Sequence, residues 1–152
     1  MSAPLAIDVH GMTKRFGKRT VVDDVDLAVA TGEIVGFLGP NGSGKTTTIR
    51  MICGLLKPDA GEGTVLGLDV RTQSAAIKRQ VGYMTQRFSF YEDLTIEENL
   101  VFVAGLYDLP RQAVADTLAD LGLTSRKRQL AASLSGGWKQ RLALAACIMH
   151  EP

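Results

Sequence analysis

Gly39-Pro40-Asn41-Gly42-Ser43-Gly44-Lys45-Thr46 fits the pattern G-x-x-x-x-G-K-[ST] at every fixed position. No other segment constrains the chain as strongly. The apolar run Ile34-Val35-Gly36-Phe37-Leu38 precedes it, and Thr47-Thr48-Ile49-Arg50-Met51-Ile52 follows. The expected layout is strand, glycine-rich turn, helix. In such a turn, consecutive backbone N–H groups point inward and surround a phosphate. Glycine permits the positive φ angles and leaves room for the ligand. Lys45 supplies a point charge for the β- and γ-phosphates of a nucleotide such as ATP, and Thr46 a hydroxyl for Mg²⁺. Gly39, Pro40, Asn41, Gly42, Ser43, Gly44, Lys45, Thr46 and Thr47 are therefore the candidate nucleotide-binding residues.

The 152 residues suffice for one domain with a real core, and 45% apolar and 22% charged residues are ordinary for a globular protein. A net charge of +1 offers no electrostatic case for nucleic acid or an anionic membrane. The short basic runs Lys14-Arg15, Lys18-Arg19 and Arg126-Lys127-Arg128 read as solvated faces. No apolar stretch approaches the ~20 residues of a membrane helix. The opening Met1–Asp8 lacks the basic and apolar regions of a signal peptide, so a cytoplasmic location is expected. Cys53 and Cys147 lie in separate apolar helical contexts and read as buried reduced thiols. His10 and His150 stand alone, without the spacing of a metal site.

Strands are expected at Leu5–Val9, Val21–Ala30, Glu33–Leu38, Gly63–Val70 (turning at Gly67) and Val81–Met84. Helices are expected from the phosphate loop to about Leu56 and at Ser74–Arg79. Thr95-Ile96-Glu97-Glu98 is a capping box that opens a helix to about Tyr107. Pro110 starts a helix over Arg111–Leu121, which Gly122 ends. A last helix should run from Ser135-Gly136-Gly137 to about His150. The expected fold class is α/β: a strand-rich nucleotide core at 1–94, then a helical part at 95–152.

Leu134-Ser135-Gly136-Gly137-Trp138-Lys139-Gln140-Arg141 is the second informative segment. Alone, Ser-Gly-Gly before an apolar helix is no more than an N-cap. Together with the phosphate loop, it makes the chain resemble the ATP-binding subunits of ABC transporters, whose signature is L-S-G-G-x-x-Q-R. The resemblance covers essentially the whole chain. It implies a P-loop NTPase core with an antiparallel β subdomain and a helical insert carrying the signature. By resemblance, Gln86 occupies the place of the Q-loop glutamine, near Mg²⁺ and the attacking water. Phe16 stands where the family puts an aromatic against adenine, usually tyrosine. Phenylalanine keeps the π-face needed for stacking. Ser135, Gly136, Gly137 and Gln140 would face the γ-phosphate of ATP held by a second nucleotide-binding domain. Lys45 and Gln86 are then the catalytic candidates, and Thr46 and Gln86 the metal candidates. The implied partners are a second such domain and a transmembrane permease, with the membrane reached only through that permease.

The same resemblance leads one to expect an apolar strand ending in Asp-Glu, followed by a switch histidine, after the last helix. The sequence ends at His150-Glu151-Pro152, so a domain incomplete at its C-terminus is expected. Val65–Asp69 precedes the Q-loop, and Leu100–Tyr107 is helical, so neither replaces that strand. Weak turnover, loose packing and aggregation are the expected consequences. A nucleotide-binding fragment without turnover and a non-transport ABC ATPase stay open as readings. Phe90–Leu100 and Trp138 look like the segments of subunits that export drugs and other hydrophobic compounds.

Overall fold

The computed structural model describes residues 4–152. Residues 1–3, part of the segment read above for a signal peptide, lie outside the described residues. The chain forms two compact units, the first ending at Val81 and the second beginning at Gly82.

The first unit is built on an antiparallel sheet of order β2-β1-β3-β4, with β1 Leu5–Phe16, β2 Arg19–Ala30, β3 Ala60–Val65 and β4 Leu68–Asp69. β1 and β2 form a hairpin in which Phe16 pairs with Arg19, so the loop is only Gly17-Lys18. Gly17 has φ 59°, the positive value that a type II′ turn requires of its first loop residue. β1 runs seven residues past the expected Val9, ending at Phe16 rather than residue 9. Polar His10, Lys14 and Arg15 hide this extension from a hydrophobic pattern, and pairing with β2 and β3 supplies it. The expected strand at 63–70 divides into β3 and β4 around Leu66 and Gly67, both with positive φ.

Helix α1 (Lys45–Ile52) and helix α2 (Ser74–Gln80) complete this unit. Met51 and Ile52 from α1 and Ile77 from α2 join Val9, Met12, Val22, Val65 and Val70 in one core. α1 is shorter than expected because its backbone turns at Cys53-Gly54, where Gly54 has φ 69°.

Two expected strands carry no sheet ladder. Residues 33–38 and 81–84 pair with no strand among the described residues. Ile34 is 99% and Leu38 94% exposed. The apolar pattern of 33–38 is right for a strand buried on both faces. A strand exists only through its neighbour, and β1–β4 do not supply one.

The second unit is helical, with α3 Ile96–Leu106, α4 Arg111–Asp120 and α5 Gly136–Ile148. Its core joins Ile96, Leu100 and Val103 of α3, Val114 and Leu118 of α4, and Leu142, Ala145 and Met149. The capping box forms as expected. The Glu98 amide donates to Thr95 Oγ1 at 3.1 Å, and the Thr95 amide donates to Glu98 Oε2 at 2.8 Å. Pro110 caps α4 rather than entering it, and Gly122 ends it with φ 64°.

Hydrogen bonds from the Thr95 backbone and hydroxyl hold the Glu98 carboxyl below its usual range. A depressed carboxyl stabilises the fold above its unfolded pKa and loses that contribution as pH falls through the folded one. Thr95→Ala should lower stability by about 1 kcal/mol at neutral pH. The gap to wild type should narrow in acid, as read by urea titration at two pH values. A gap that widens in acid would contradict the capping role of Glu98.

The two cysteines are half-buried rather than fully buried, and burial pushes the Cys147 thiol up. Among the described residues, no helix is long and apolar enough to cross a membrane.

Candidate functional site

The phosphate loop leaves residue 38 and enters α1 through Gly44, which has φ 89° and stands as the helix N-cap. The amides of Lys45, Thr46 and Thr47 open the helix, and none has a carbonyl four residues back within it. The Thr48 amide is the first to close the ladder, on the Gly44 carbonyl at 2.8 Å. Three adjacent donors and the positive end of the helix dipole thus share one small space.

Gly44 has to be glycine on two counts. Its φ is left-handed, and a Cβ there would sit 2.5 Å from the Val21 carbonyl oxygen and 3.1 Å from Val22 Cγ2. The hairpin strand β2 thereby forms the wall behind the loop. At Gly39, a Cβ would fill the loop itself, 3.1 Å from Ser43 Oγ and 3.7 Å from Lys45 Cδ.

Lys45 folds back across its own loop. Its Nζ donates to the Gly39 carbonyl at 2.6 Å and the Pro40 carbonyl at 2.6 Å. The Ser43 amide donates to the Pro40 carbonyl at 3.3 Å. The ammonium is therefore held on the Gly39 and Pro40 carbonyls of its own loop, where phosphate oxygens can exchange with neutral carbonyls. Charge-assisted bonds are the stronger kind, so the exchange favours the anion.

The hydroxyls of the first helical turn divide into two kinds. Thr48 is buried, and its Oγ1 donates to the Gly44 carbonyl at 3.0 Å, a packing role. Thr46 is exposed at the helix start, and Thr47 is half-buried. Mg²⁺ keeps several waters and takes few protein ligands beside phosphate oxygens. One exposed hydroxyl next to the phosphate cradle fits that chemistry. Among the described residues, no group of three His, Cys, Asp or Glu could hold a metal by itself.

Phe16 ends β1 in the same unit and is 51% exposed, with Lys14 Nζ 5.6 Å from its ring centroid. The tight Gly17-Lys18 turn presents the ring at the hairpin tip. An exposed aromatic face beside a cation suits an electron-rich base.

The second unit holds the remaining candidates. Ser135 is the N-cap of α5 by position, with φ −65° and ψ 162°, yet its side chain makes no capping bond. Ser135, Gly136 and Gly137 are exposed, so the helix start is open to solvent. Trp138 lies half-buried between two guanidinium groups, 4.5 Å from Arg126 Cζ and 4.8 Å from Arg141 Cζ.

Gln86 is exposed on the segment joining Gly82 to α3. That segment and α5 enclose a groove of about 480 Å³, lined by Gln86, Phe88, Gly136, Lys139, Gln140 and others. The structure thus brings Gln86, Gly136 and Gln140 to one groove, and Lys45 and Thr46 to one loop.

Lys139 and Phe88, which also line the groove, were not among the sequence candidates. The signal was available: positions 136, 139, 140 and 143 share one face of a helix. Asn99 was missed too. It is fully buried, and its side chain holds the segment before α3.

Comparison with known proteins agrees with this architecture. The family model described as ABC transporter matches residues 22–152. This chain belongs to the ABC transporter family.

The chain is 45% identical over 150 residues to the "Probable multidrug ABC transporter ATP-binding protein YbhF" of Escherichia coli (strain K12), covering 96% of this chain and 26% of that protein. It is 37% identical over 150 residues to the linearmycin resistance ATP-binding protein LnrL of Bacillus subtilis (strain 168), covering 96% of this chain and 48% of that protein. It is 37% identical over 147 residues to the bacitracin transport ATP-binding protein BcrA of Bacillus licheniformis, covering 96% and 48%. A solved structure of an ATP binding subunit of an ABC transporter superposes with a TM-score of 0.83 at 30% identity, covering 97% of this chain and 63% of that one. The chain therefore spans about a quarter to a half of the length of these curated relatives.

Proposed function

We propose that these residues form the MgATP-binding part of an ABC exporter's ATP-binding subunit. The observation that carries the reading is the phosphate loop itself. Lys45 Nζ bridges the Gly39 and Pro40 carbonyls of a loop whose last residue, Gly44, backs onto β2 and opens α1 with three amides free of helical partners.

In this reading the loop amides and Lys45 hold the β- and γ-phosphates, and Phe16 stacks on adenine. Thr46 would offer Mg²⁺ its hydroxyl and Gln86 its side-chain oxygen, and the ion would supply positive charge for the phosphates. Gln86 orients the attacking water. Lys45 stabilises charge on the transferring phosphoryl group, where positioning and electrostatics carry most of the catalysis. Ser135, Gly136, Gly137 and Gln140 form a second amide-lined start that meets the γ-phosphate held by another nucleotide-binding domain. ATP binding then closes a pair of such domains, and hydrolysis reopens it, a two-state change that drives a permease. The names of three relatives, for multidrug, linearmycin and bacitracin handling, support export of hydrophobic compounds.

Several charge-assisted bonds at ~1.5–3 kcal/mol each support nucleotide affinity between about 1 μM and 1 mM. The complete protein should bind MgATP in that range, and Lys45→Ala should weaken binding about tenfold or more. Trp138 is the only tryptophan of these 152 residues, and its emission should shift on closure. Gly136→Asp should abolish that shift, through anion repulsion at the helix start, while leaving uptake of the nucleotide intact. Binding unaffected by Lys45→Ala would sink the reading.

A further inference from the structure

The groove that carries Gln86 is closed at one end by a side chain with no assigned part in ATP turnover. Lys139 closes the first turn of α5, and its Nζ donates to Glu92 Oε1 at 2.8 Å. The same ammonium lies 5.0 Å from the centroid of the Phe88 ring. Phe88 and Glu92 flank the segment that follows Gln86, and the Phe88 ring also meets Phe90 at 5.4 Å. One cation thus grips the Gln86 segment twice, by charge and by an aromatic face. The Lys139 side chain is largely covered, 25% exposed against 61% for Glu92, so the pair is screened less than a free surface pair.

The far end of the same segment is fixed separately. Asn99 bonds both the amide and the carbonyl of Tyr91, and the Ala132 amide donates to the Glu92 carbonyl at 2.9 Å. The Glu92 backbone is thus tied to residue 132, and its carboxylate is the partner of Lys139. Closer to Gln86, the Thr85 hydroxyl donates to the Arg87 carbonyl at 2.6 Å and lies 3.3 Å from Ser89 Oγ, a local turn around Gln86. The clasp at Phe88 and Glu92 ties this turn, and with it the backbone on which Gln86 sits, to α5.

We propose that Lys139 is a positioning residue: through Glu92 and Phe88 it holds the Gln86 segment against the helix that begins at Gly136. Movement at the phosphate-facing start of α5 is thereby transmitted to Gln86. This rests on the reading of Gln86 as the glutamine that orients the attacking water.

The test uses the complete protein and two independent measurements. Hydrogen exchange of residues 85–92 reads the clasp directly, without nucleotide. It should rise about two- to fivefold in Lys139→Met and in Glu92→Gln, the range expected for losing one partly exposed ion pair. MgATP turnover reads the consequence. In Lys139→Met, kcat should fall about tenfold with KM for ATP within about twofold, because a misplaced group costs rate rather than ground-state binding.

Lys139→Arg should recover both readouts, and the exchanged pair Lys139→Glu with Glu92→Lys should recover them in part, because it restores the ion pair but not the cation at the Phe88 ring. A change confined to packing would not be rescued by exchanging the charges. Adding Gln86→Ala to Lys139→Met should cost little more than Gln86→Ala alone, since both act through one group. Unchanged exchange at 85–92 overturns the clasp. Raised exchange with normal kcat overturns its role in turnover. If the wild type hydrolyses no ATP, the functional reading fails, and the exchange measurement still decides whether Lys139 holds the segment.

Discussion

Gly44→Ala should weaken MgATP binding by about tenfold to a hundredfold and destabilise the first unit by roughly 2–4 kcal/mol. Two costs add. A non-glycine residue at φ 89° carries the left-handed penalty of about 1–2 kcal/mol. The new Cβ also falls 2.5 Å from the Val21 carbonyl oxygen, a distance that real Cβ atoms do not tolerate. That oxygen is backbone within β2, so relief requires moving a strand or the start of α1. Either displaces the amides of Lys45, Thr46 and Thr47 from their common focus.

Gly42→Ala is the matched control. It shares a positive φ, 80°, but nothing lies within 4 Å of its Cβ. It should cost only the backbone term, about 1–2 kcal/mol, and weaken nucleotide binding less than Gly44→Ala does. Titration calorimetry with MgATP and thermal melts of both variants make the comparison. Equal effects at the two glycines would show that the wall formed by Val21 is unimportant.

The loop was legible because its requirements are local. Each fixed position in residues 39–46 answers to backbone geometry or charge within a few residues. The same holds for the capping box at Thr95 and the stop at Gly122, which appear in the structure where the sequence puts them. The strands were less legible in proportion to their dependence on partners. β1 extends through His10, Lys14 and Arg15, residues that no hydrophobic alternation selects, because β2 and β3 pair with it.

Residues 33–38 show the opposite failure. Ile34, Val35, Phe37 and Leu38 carry the composition of a buried strand, yet the chain there forms no ladder among the described residues and two of these residues are almost wholly exposed. Local composition specifies what a strand would bury, and only a neighbour makes it one. The groove around Gln86 was illegible for a related reason. It is set by Lys139, Glu92 and Phe88, whose contacts span distances in sequence that no local pattern records.

Asn99 explains why that groove has a definite shape, and its replacement should have the largest effect in the second unit. A polar residue among Ile96, Leu100 and Val103 reads from sequence as a surface position, but it is 0% exposed. Its Oδ1 accepts the Tyr91 amide at 3.0 Å, and its Nδ2 donates to the carbonyls of Tyr91 at 2.9 Å and Thr95 at 3.0 Å. The side chain thus does for residues 91–95 what a strand partner would do. Asn99→Leu keeps the volume and strips every one of these bonds, leaving buried donors and acceptors that each cost about 1–3 kcal/mol.

The expected loss for Asn99→Leu is therefore about 3 kcal/mol, partly relieved because Tyr91 is exposed and its backbone can reach water. Asn99→Asp retains an acceptor for the Tyr91 amide but loses the donor to the Tyr91 carbonyl and buries a charge, so it should be no milder. The functional signature separates this from ordinary core damage. Glu92 rides on the anchored segment, so exchange at 85–92 should rise along with the loss of stability. Leu142→Ala, a core truncation in the same unit, should cost a similar 2–5 kcal/mol and leave exchange at 85–92 tied only to global unfolding. If both variants raise exchange there equally at matched stability, Asn99 is simply part of the core and does not shape the segment that carries Gln86.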